Sequence, residues 1–307
     1  QATLDGYKNY ESYQSMLEDA ALDVILIATP NEIHKDLSIE AMNHNKHVIC
    51  EKPVTLTSKE LQEIMDVAKK TGKTFMVHQN RRWDDDYLVA KNLYDNKQVG
   101  DLFHIESRVH GANGIPGDWR AMKKHGGGML YDWGVHLLDQ ILQMVQSPLD
   151  SVENYLSFVL GHDADDGFTS LLKFKDGTTC LVEVSTTSFI QLPRWYVKGT
   201  EGTAIINDWN LNGKTVKYNV DAKHIAPTPI KAGAGLTKTM APLNKGSIIE
   251  EDLPKPLEVK KSFYDNFYEV VNHNQNPLVK NEEVKEVMVL IEKMFEAHHT
   301  NSVVYMP

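Results

Sequence analysis

Three polar residues at helical spacing carry the clearest chemical signal in the sequence. Asp132, His136 and Asp139 occupy positions i, i+4 and i+7, so a helix would place all three side chains on one face. Acidic groups flanking a histidine can hold its tautomer and adjust its pKa, which a general base requires. Two other interpretations stay open: a capped helix with a satisfied histidine, and a metal site using the Asp–His pair. No pattern in the sequence brings a second His, Asp or Glu pair to this one, which disfavours a metal.

A lysine directly after a strand is the second signal. Residues 47–50 read HVIC, an apolar run typical of a strand, and Glu51, Lys52 and Pro53 follow at once. Open α/β sheets bind their ligands at the carboxyl ends of the strands. An ammonium group there can stabilise a developing alkoxide or polarise a carbonyl. The alternative is an ordinary solvated ion pair at a strand end.

A polar turn follows an earlier apolar run, residues 23–29. Thr29, Pro30 and Asn31 end that run, and His34 comes shortly after them. The turn would lie at the same edge of a parallel sheet, and Asn31 can cap the helix that follows. An ordinary strand-to-helix turn with a packing histidine explains the segment equally well.

Arginine next to tryptophan occurs twice. Residues 80–83 read NRRW, which includes Arg81, and Trp119-Arg120 lies in a glycine-rich loop. Such pairs can bind an anion or stack on a flat ring. Each pair taken alone also fits a structural or surface role.

The elements that must position these residues change character near residue 80. Before it, helix and strand alternate with short links, which predicts βαβ units and a parallel sheet. The strands are 23–29, 47–50 and 74–78, and the helices are 10–20, 31–45 and 57–71. After it, hairpin signals predict a mostly antiparallel sheet with strands at 102–110, 168–174, 178–185, 195–198 and 203–207. Helices are predicted at 84–96, 128–146, 262–273 and 282–298, and residues 221–258 as a long surface excursion.

Composition excludes several classes of protein. The 307 residues carry a net charge of −10 with a pI of about 5.7 and no basic stripe, which disfavours nucleic acid as a partner. The two cysteines, Cys50 and Cys180, form no CxxC motif, so we predict a reducing, cytoplasmic location without disulfides. Apolar runs are strand-length and far short of a membrane span, and no signal peptide is visible.

Four segments, in order along the chain, resemble the Gfo/Idh/MocA family of NAD(P)-dependent oxidoreductases, the glucose–fructose oxidoreductase and inositol dehydrogenase group. They read DVILIATPNEIH, HVICEKPVTLT, HQNRRW and GGGMLYDWGVHLLDQ, and the resemblance extends from about Tyr7 to the closing helices. It implies an α/β plus α+β fold. Residues 1–80 would form the remaining part of a Rossmann domain, and residues 81–307 an open-faced, mostly antiparallel sheet domain with closing helices. The active site would lie between them.

The resemblance also assigns roles by position. Lys52 matches the family's catalytic lysine, and Asp132 and His136 match its catalytic DxxxH pair. The residues expected to bind NAD or NADP are Thr29, Pro30, Asn31, His34, Glu51, Lys52, Arg81, Trp119 and Arg120. We expect His110, Asn113, Tyr131 and Trp133 to line a polar substrate pocket, and no metal. The Lys–Pro bond is cis in many relatives, and Pro53 is compatible with that.

The sequence also departs from the family. It has no strand–GxGxxG–helix motif, and the nearest glycine-rich string, residues 233–238, lies in a proline-rich loop with no predicted strand before it. Family members normally begin with further strands and that glycine turn, so we expect a truncated form of a full enzyme rather than a shortened relative. The expected substrate is a sugar, polyol or inositol hydroxyl, and the expected state a dimer or tetramer. The alternatives are a non-catalytic dinucleotide or sugar sensor, an inactive truncated form, and an enzyme that cleaves glycosides through transient oxidation.

Overall fold

A computed structural model describes residues 6–222, 227–242 and 246–306 of the chain. The amino-terminal part contains three parallel strands in sequential order, which confirms the predicted βαβ arrangement. The strands are β1 (Val24–Ile27), β2 (His47–Cys50) and β3 (Phe75–Val77), and the helices are α1 (Tyr13–Leu17), α2 (His34–Asn43) and α3 (Ser58–Thr71). The β3 side chains and the last three of β2 are buried, as expected for a parallel sheet.

The bounds of α3 follow from local chemistry. Thr57 accepts a hydrogen bond from the Glu60 N–H, while the Glu60 side chain accepts from the Thr57 N–H, forming the predicted capping box. Gly72 ends the helix with a φ of +66°, a conformation that suits glycine. The turn leading into this helix is the one that carries Lys52.

A second, nine-stranded sheet forms most of the remainder. Its strands are β4 (Leu102–His110), β5 (Leu149–Ser157), β6 (Gly167–Phe174), β7 (Thr179–Ser185), β8 (Trp195–Gly199), β9 (Gly202–Ile206), β10 (Gly213–Tyr218), β13 (Ile248–Glu251) and β14 (Val304–Tyr305). They are ordered β13-β10-β9-β8-β4-β7-β6-β5-β14, and only β4 and β7 pair in parallel. Side chains of β6 alternate between buried and exposed, so the sheet packs on one face and is open on the other. The predicted mostly antiparallel, open-faced sheet is confirmed.

The described residues of the predicted surface excursion at 221–258 are mostly exposed, but they include strands that the sequence did not predict. Within it, β13 pairs with β10 at the edge of the large sheet. Strands β11 (Ile230–Ala232) and β12 (Gly235–Thr237) form a separate ribbon, so a strand does precede Gly233. All four side chains of β13 are exposed and therefore give no hydrophobic alternation to detect. No helix follows that glycine within residues 233–242, so the ribbon is not a dinucleotide-binding turn.

Four helices complete the packing around the sheets: α4 (Asp85–Asp95), α5 (Val135–Met144), α6 (Phe263–His273) and α7 (Asn281–Thr300). The single helix predicted at 128–146 begins instead as a π-helical turn, Leu130–Gly134, that runs directly into α5. Such turns are rare and are frequent at functional sites. No helix in the described part of the chain is long and apolar enough to span a membrane.

Candidate active site

Lys52, in the turn after β2, contacts Asp132, on the π-helical turn that leads into α5. Lys52 follows the last residue of β2 by two positions, and its peptide bond to Pro53 is cis, as the resemblance led us to expect. Its Nζ donates to Asp132 Oδ1 at 3.0 Å and to the Asp132 carbonyl oxygen at 2.8 Å. The contact holds the ammonium group in one place at the carboxyl edge of the parallel sheet.

His136 lies one helical turn further along and is almost fully buried, with 4% of its surface exposed. Burial lowers its pKa well below the ordinary value, and the nearby charge of Lys52 adds to that effect. The imidazole is therefore neutral near pH 7 and able to accept a proton. Its Nδ1 is buried without a hydrogen-bond partner among the described residues, so Nε2 is the nitrogen within reach of a ligand.

The two acids predicted to flank His136 instead bind cations. Asp132 binds Lys52, and Asp139 binds Arg82 through Nε at 2.8 Å and Nη2 at 2.7 Å. Neither makes a hydrogen bond to the imidazole in the part of the chain that the structure describes. A buried carboxylate is better compensated by a cation than by a neutral ring. Sequence spacing placed the three residues on one helix face but could not show which cations lie opposite.

His34 joins the two turns at the sheet edge. Its Nδ1 lies 2.9 Å from the Pro53 carbonyl oxygen, and its Nε2 lies 2.9 Å from the Thr29 carbonyl oxygen. The ring is fully buried, and burial lowers its pKa. His34 thus sets the spacing between the turn after β1 and the turn after β2.

Asn31 does not cap α2, contrary to the sequence prediction. The residue before the 3₁₀ turn that leads into α2 is Pro30, which makes no side-chain cap. The Asn31 amide instead donates to the Gly126 carbonyl oxygen at 2.8 Å. This bond links the turn after β1 to the glycine run that precedes the π-helical turn. Gly126 is distant from Asn31 in the sequence, so no local signal identified its carbonyl oxygen as the acceptor.

The glycine run is required by close contacts within the protein. A Cβ at Gly126 would lie 2.3 Å from Leu56 Cδ2, and one at Gly128 would lie 2.1 Å from Asp165 Oδ1. Both glycines have positive φ. The contacts that exclude a side chain at both positions are therefore made by the protein itself.

Asp165 is a site residue that the sequence did not reveal. Its Oδ2 accepts from the Leu130 N–H at 2.9 Å, at the start of the π-helical turn. Burial raises the pKa of this carboxyl group to about 7. Asp165 stands 35 residues away along the chain, and no motif surrounds it, so only the folded arrangement identifies it.

The remaining cofactor candidates border the same region. Trp119 and Arg120 lie on a 3₁₀ turn, with the guanidinium 4.6 Å from the indole ring centroid and bound to Asp118 at 2.7 Å. The Gly128 N–H donates to the Arg120 carbonyl oxygen at 2.9 Å. Glu51 accepts from His78 Nδ1 at 2.7 Å; burial opposes ionisation of Glu51, but the contact with His78 outweighs it and lowers its pKa.

Three of the four predicted substrate residues share a cavity of about 500 Å³. His110, Asn113 and Trp133 line it together with Arg81, which was predicted to bind cofactor, and Trp209, which was not predicted. The Trp133 ring lies 6.0 Å from the His136 ring, so this cavity adjoins the candidate catalytic group.

Tyr131 does not join the other substrate candidates. Its hydroxyl donates to the Leu56 carbonyl oxygen at 2.8 Å, and its ring lines a different cavity of about 230 Å³. Tyr131 and Trp133 are close in the sequence, but their side chains leave the helix on different sides. No group of three or more His, Cys, Asp or Glu side chains within residues 6–222, 227–242 and 246–306 is arranged to hold a metal.

Comparison with known protein families agrees with this arrangement. A model described as the oxidoreductase family with an NAD-binding Rossmann fold matches residues 2–79, and the model of the GFO/IDH/MocA C-terminal domain matches residues 87–205. The chain belongs to the Gfo/Idh/MocA oxidoreductase family. NAD or NADP is therefore its cofactor class, and the buried Thr29 hydroxyl, which lacks a partner among the described residues, fits a polar ligand at this edge.

Individual Gfo/Idh/MocA relatives range from near to distant. The crystal structure of an NAD-binding protein from Listeria innocua is 57% identical with a TM-score of 0.96, and the match covers 98% of this chain and 86% of that one. An uncharacterised oxidoreductase of Schizosaccharomyces pombe is 34% identical, over 48% of this chain and 40% of that protein. Inositol 2-dehydrogenase of Salmonella typhimurium is 28% identical, over 50% of this chain and 46% of that protein. The matches thus span less than half the length of these last two relatives.

Proposed function

We propose that the chain acts as an NAD(P)-dependent dehydrogenase on a hydroxyl group of a sugar, polyol or inositol. The observation that carries the proposal is the Lys52 ammonium held on Asp132 beside a buried, neutral His136. A general base close to a fixed cation suits the oxidation of a carbinol, and Trp133, whose ring lies 6.0 Å from that of His136, lines a polar cavity. The similarity to an inositol 2-dehydrogenase supports a polyhydroxylated substrate.

The proposed mechanism assigns one task to each side chain. His136 accepts the hydroxyl proton at Nε2, because its lowered pKa keeps the imidazole unprotonated. Lys52 stabilises the negative charge that develops on the substrate oxygen, and Asp132 holds the ammonium group in position. When bound, NAD or NADP supplies the hydride acceptor. We propose that the turn Thr29–Asn31, Glu51 and the Trp119-Arg120 pair hold it.

The pairing of Lys52 with Asp132 favours an enzyme over a non-catalytic sensor, which would have no need for an oriented ammonium group. We further propose a small-molecule substrate, a homo-oligomer and a cytoplasmic location. The oligomeric state can be measured by sedimentation equilibrium.

Replacing Lys52 tests the proposal. NADH and NADPH binding is measured first, from energy transfer out of the tryptophans. Formation of reduced cofactor is then followed over a panel of hexoses, hexitols and inositols. We expect Lys52→Met to lower kcat by about 10²- to 10³-fold with an unchanged melting temperature, since one charge-stabilising group is removed.

Lys214→Met is the matched control, because Lys214 is a half-exposed lysine on β10 that pairs with Glu250 on β13. It should leave turnover unchanged. Full turnover in Lys52→Met, or no oxidation of any polyol by a wild-type chain that binds cofactor, would falsify the proposed function.

A further inference from the structure

Arg81 brings a partly used guanidinium group to the wall of the 500 Å³ cavity. Its Nη1 donates to Asp84 at 2.9 Å. Its Nε is buried without an acceptor, and Nη2 makes no hydrogen bond to any residue that the structure describes. A guanidinium offers five N–H donors in a planar fork. Nη2 is therefore left for a ligand.

The neighbouring residue, Arg82, uses its guanidinium group to bind other parts of the protein. All three nitrogens of Arg82 donate to carboxylates, two to Asp139 and one to Glu283 at 2.7 Å. The two arginines stand on the same 3₁₀ turn, whose backbone is fixed by a bond from Gln140 to the Arg81 carbonyl oxygen at 2.7 Å. Arg82 is saturated within the protein, whereas Arg81 is anchored by one nitrogen and lines a cavity.

Two indole rings hold the Arg81 guanidinium in place. Its Cζ lies 4.2 Å from the centroid of Trp133 and 5.4 Å from that of Trp209. Trp209, in the loop between β9 and β10, is about half exposed and also stacks on Arg194 at 3.9 Å. Stacked cations of this kind lose little freedom on binding a ligand, because the side chain is already ordered.

The described lining of this cavity carries no carboxylate. Besides Arg81 and the tryptophans, it consists of a histidine, an amide, hydroxyl groups, glycines and valines. Two acids contact lining residues without lining the cavity themselves: Asp84 binds Arg81, and Glu183 lies 3.3 Å from His110 Nε2. A wall with one incompletely paired cation and no acid selects a negative ligand, and hydroxyl and amide groups select a polyhydroxylated one.

We propose that the substrate is an anionic sugar, whose carboxylate or phosphate group binds Arg81 while one of its hydroxyls is oxidised. The second half of this statement rests on the proposed function. In the reaction, the carbinol C–H leaves as hydride to NAD(P)⁺, and the hydroxyl proton goes to His136 and then to solvent. The carbinol becomes a ketone, and the anionic group is unchanged. Arg81 then acts as a residue that determines specificity.

Binding and turnover are measured separately so that the two proposals can fail separately. Isothermal titration compares hexuronates, hexose 6-phosphates and the parent neutral hexoses with wild type and Arg81→Gln. We expect wild type to prefer one anionic class by at least about 10-fold. Arg81→Gln should weaken binding of that class by about 10- to 100-fold and of the neutral hexoses by less than about 3-fold, since a charge-assisted hydrogen bond is lost. The preferred class distinguishes a carboxylate from a phosphate.

Lys214→Gln changes the net charge by the same amount on an exposed edge and should leave the affinities unchanged. Equal affinity for neutral and anionic sugars, equal losses for both in Arg81→Gln, or no binding of any sugar overturns the proposal. Loss of NADH affinity alone in Arg81→Gln would assign Arg81 to the cofactor and likewise overturn it. Arg81-dependent binding of an anionic sugar without formation of NADH or NADPH supports it and counts against the dehydrogenase.

Discussion

At the scale of single residues, the site keeps a cation and a neutral base close together. The ammonium group of Lys52 is paired with the carboxylate of Asp132. His136 is kept unprotonated by burial and by the adjacent positive charge of Lys52. Without that carboxylate, the ammonium group would stand unpaired at a partly buried position. Asp132 is thus valuable to the site even though it makes no hydrogen bond to the imidazole within the described residues.

The lowered pKa of His136 predicts a dependence of stability on pH. Below about pH 6.5 an unfolded chain protonates this histidine, whereas the folded chain does not, so stability falls as the pH drops below that value. His136→Asn should remove this contribution. The loss of unfolding free energy between about pH 7.5 and about pH 5.5 should then shrink by about 1 kcal/mol in urea titrations.

The exposed His162 provides the control for that measurement. His162→Asn should keep the full pH dependence of wild type. An identical pH dependence in His136→Asn would mean that the imidazole has the same pKa in the folded and the unfolded chain, which would contradict the lowered pKa of His136.

At the scale of elements, the start of the helical segment that carries Asp132 is built from a glycine run and a distant carboxyl group. Gly128 leaves the space that Asp165 occupies, and Asp165 accepts from the Leu130 N–H. The orphan N–H groups of a helix start need such an acceptor. The position of Asp132 along the helix therefore depends on a residue in the loop before β6.

Gly128→Ala tests this dependence. Its φ of +107° and the 2.1 Å approach of a Cβ to Asp165 Oδ1 both oppose a side chain, so we expect a loss of about 2 to 4 kcal/mol in urea unfolding. Turnover of the folded fraction should also fall, because Asp132 moves with the helix start. Gly161→Ala is a useful contrast: it has a φ of +77° but no atom within 4 Å, so it carries the backbone cost alone.

How much could be predicted from the sequence depended on the range of each interaction. The ends of α3 followed from Thr57, Glu60 and Gly72, which interact within a turn of helix, and both predicted hairpins formed. Strands β5 and β10 pair with adjacent strands along the chain, β6 and β9, but they were missed because their side chains show no regular alternation of buried and exposed positions. Asp165 and Trp209 were missed because the groups they contact are distant in the sequence. The resemblance located Lys52 and Asp132, whereas the acceptor of Asn31 and the donor that binds Asp139 required the structure.

At the scale of the whole molecule, the last helix returns to the first sheet. Glu292 accepts from the Ser58 N–H at 2.7 Å and from its hydroxyl at 2.9 Å, at the start of α3. The Asn281 amide donates to the Phe75 carbonyl oxygen at 2.9 Å in β3. Residues from both ends of the chain thus share one packed region, and a domain boundary at residue 80 remains a prediction.

Arg82 ties three elements of that region together, and its removal should be costly. Arg82→Met leaves the fully buried Asp139 without its cation, and we expect a loss of about 3 to 5 kcal/mol in urea unfolding. The double variant Arg82→Met/Asp139→Leu should recover a large part of this loss, because no uncompensated charge then remains.

An exposed ion pair serves as the comparison. Lys97→Met breaks the pair with Asp101, in which both side chains are largely exposed, and should change the unfolding free energy very little. A double variant as unstable as Arg82→Met would show that the loss comes from packing rather than from the buried charge.

The return of α7 to the first sheet also bears on how the chain can be produced. The ribosome releases β3 long before it releases Asn281 and Glu292, which complete that part of the molecule. The early strands therefore keep part of their surface uncovered until about the last tenth of the chain has been synthesised. Chaperones that shield nascent apolar surface should therefore improve the yield of this protein more than slower translation of α7 would.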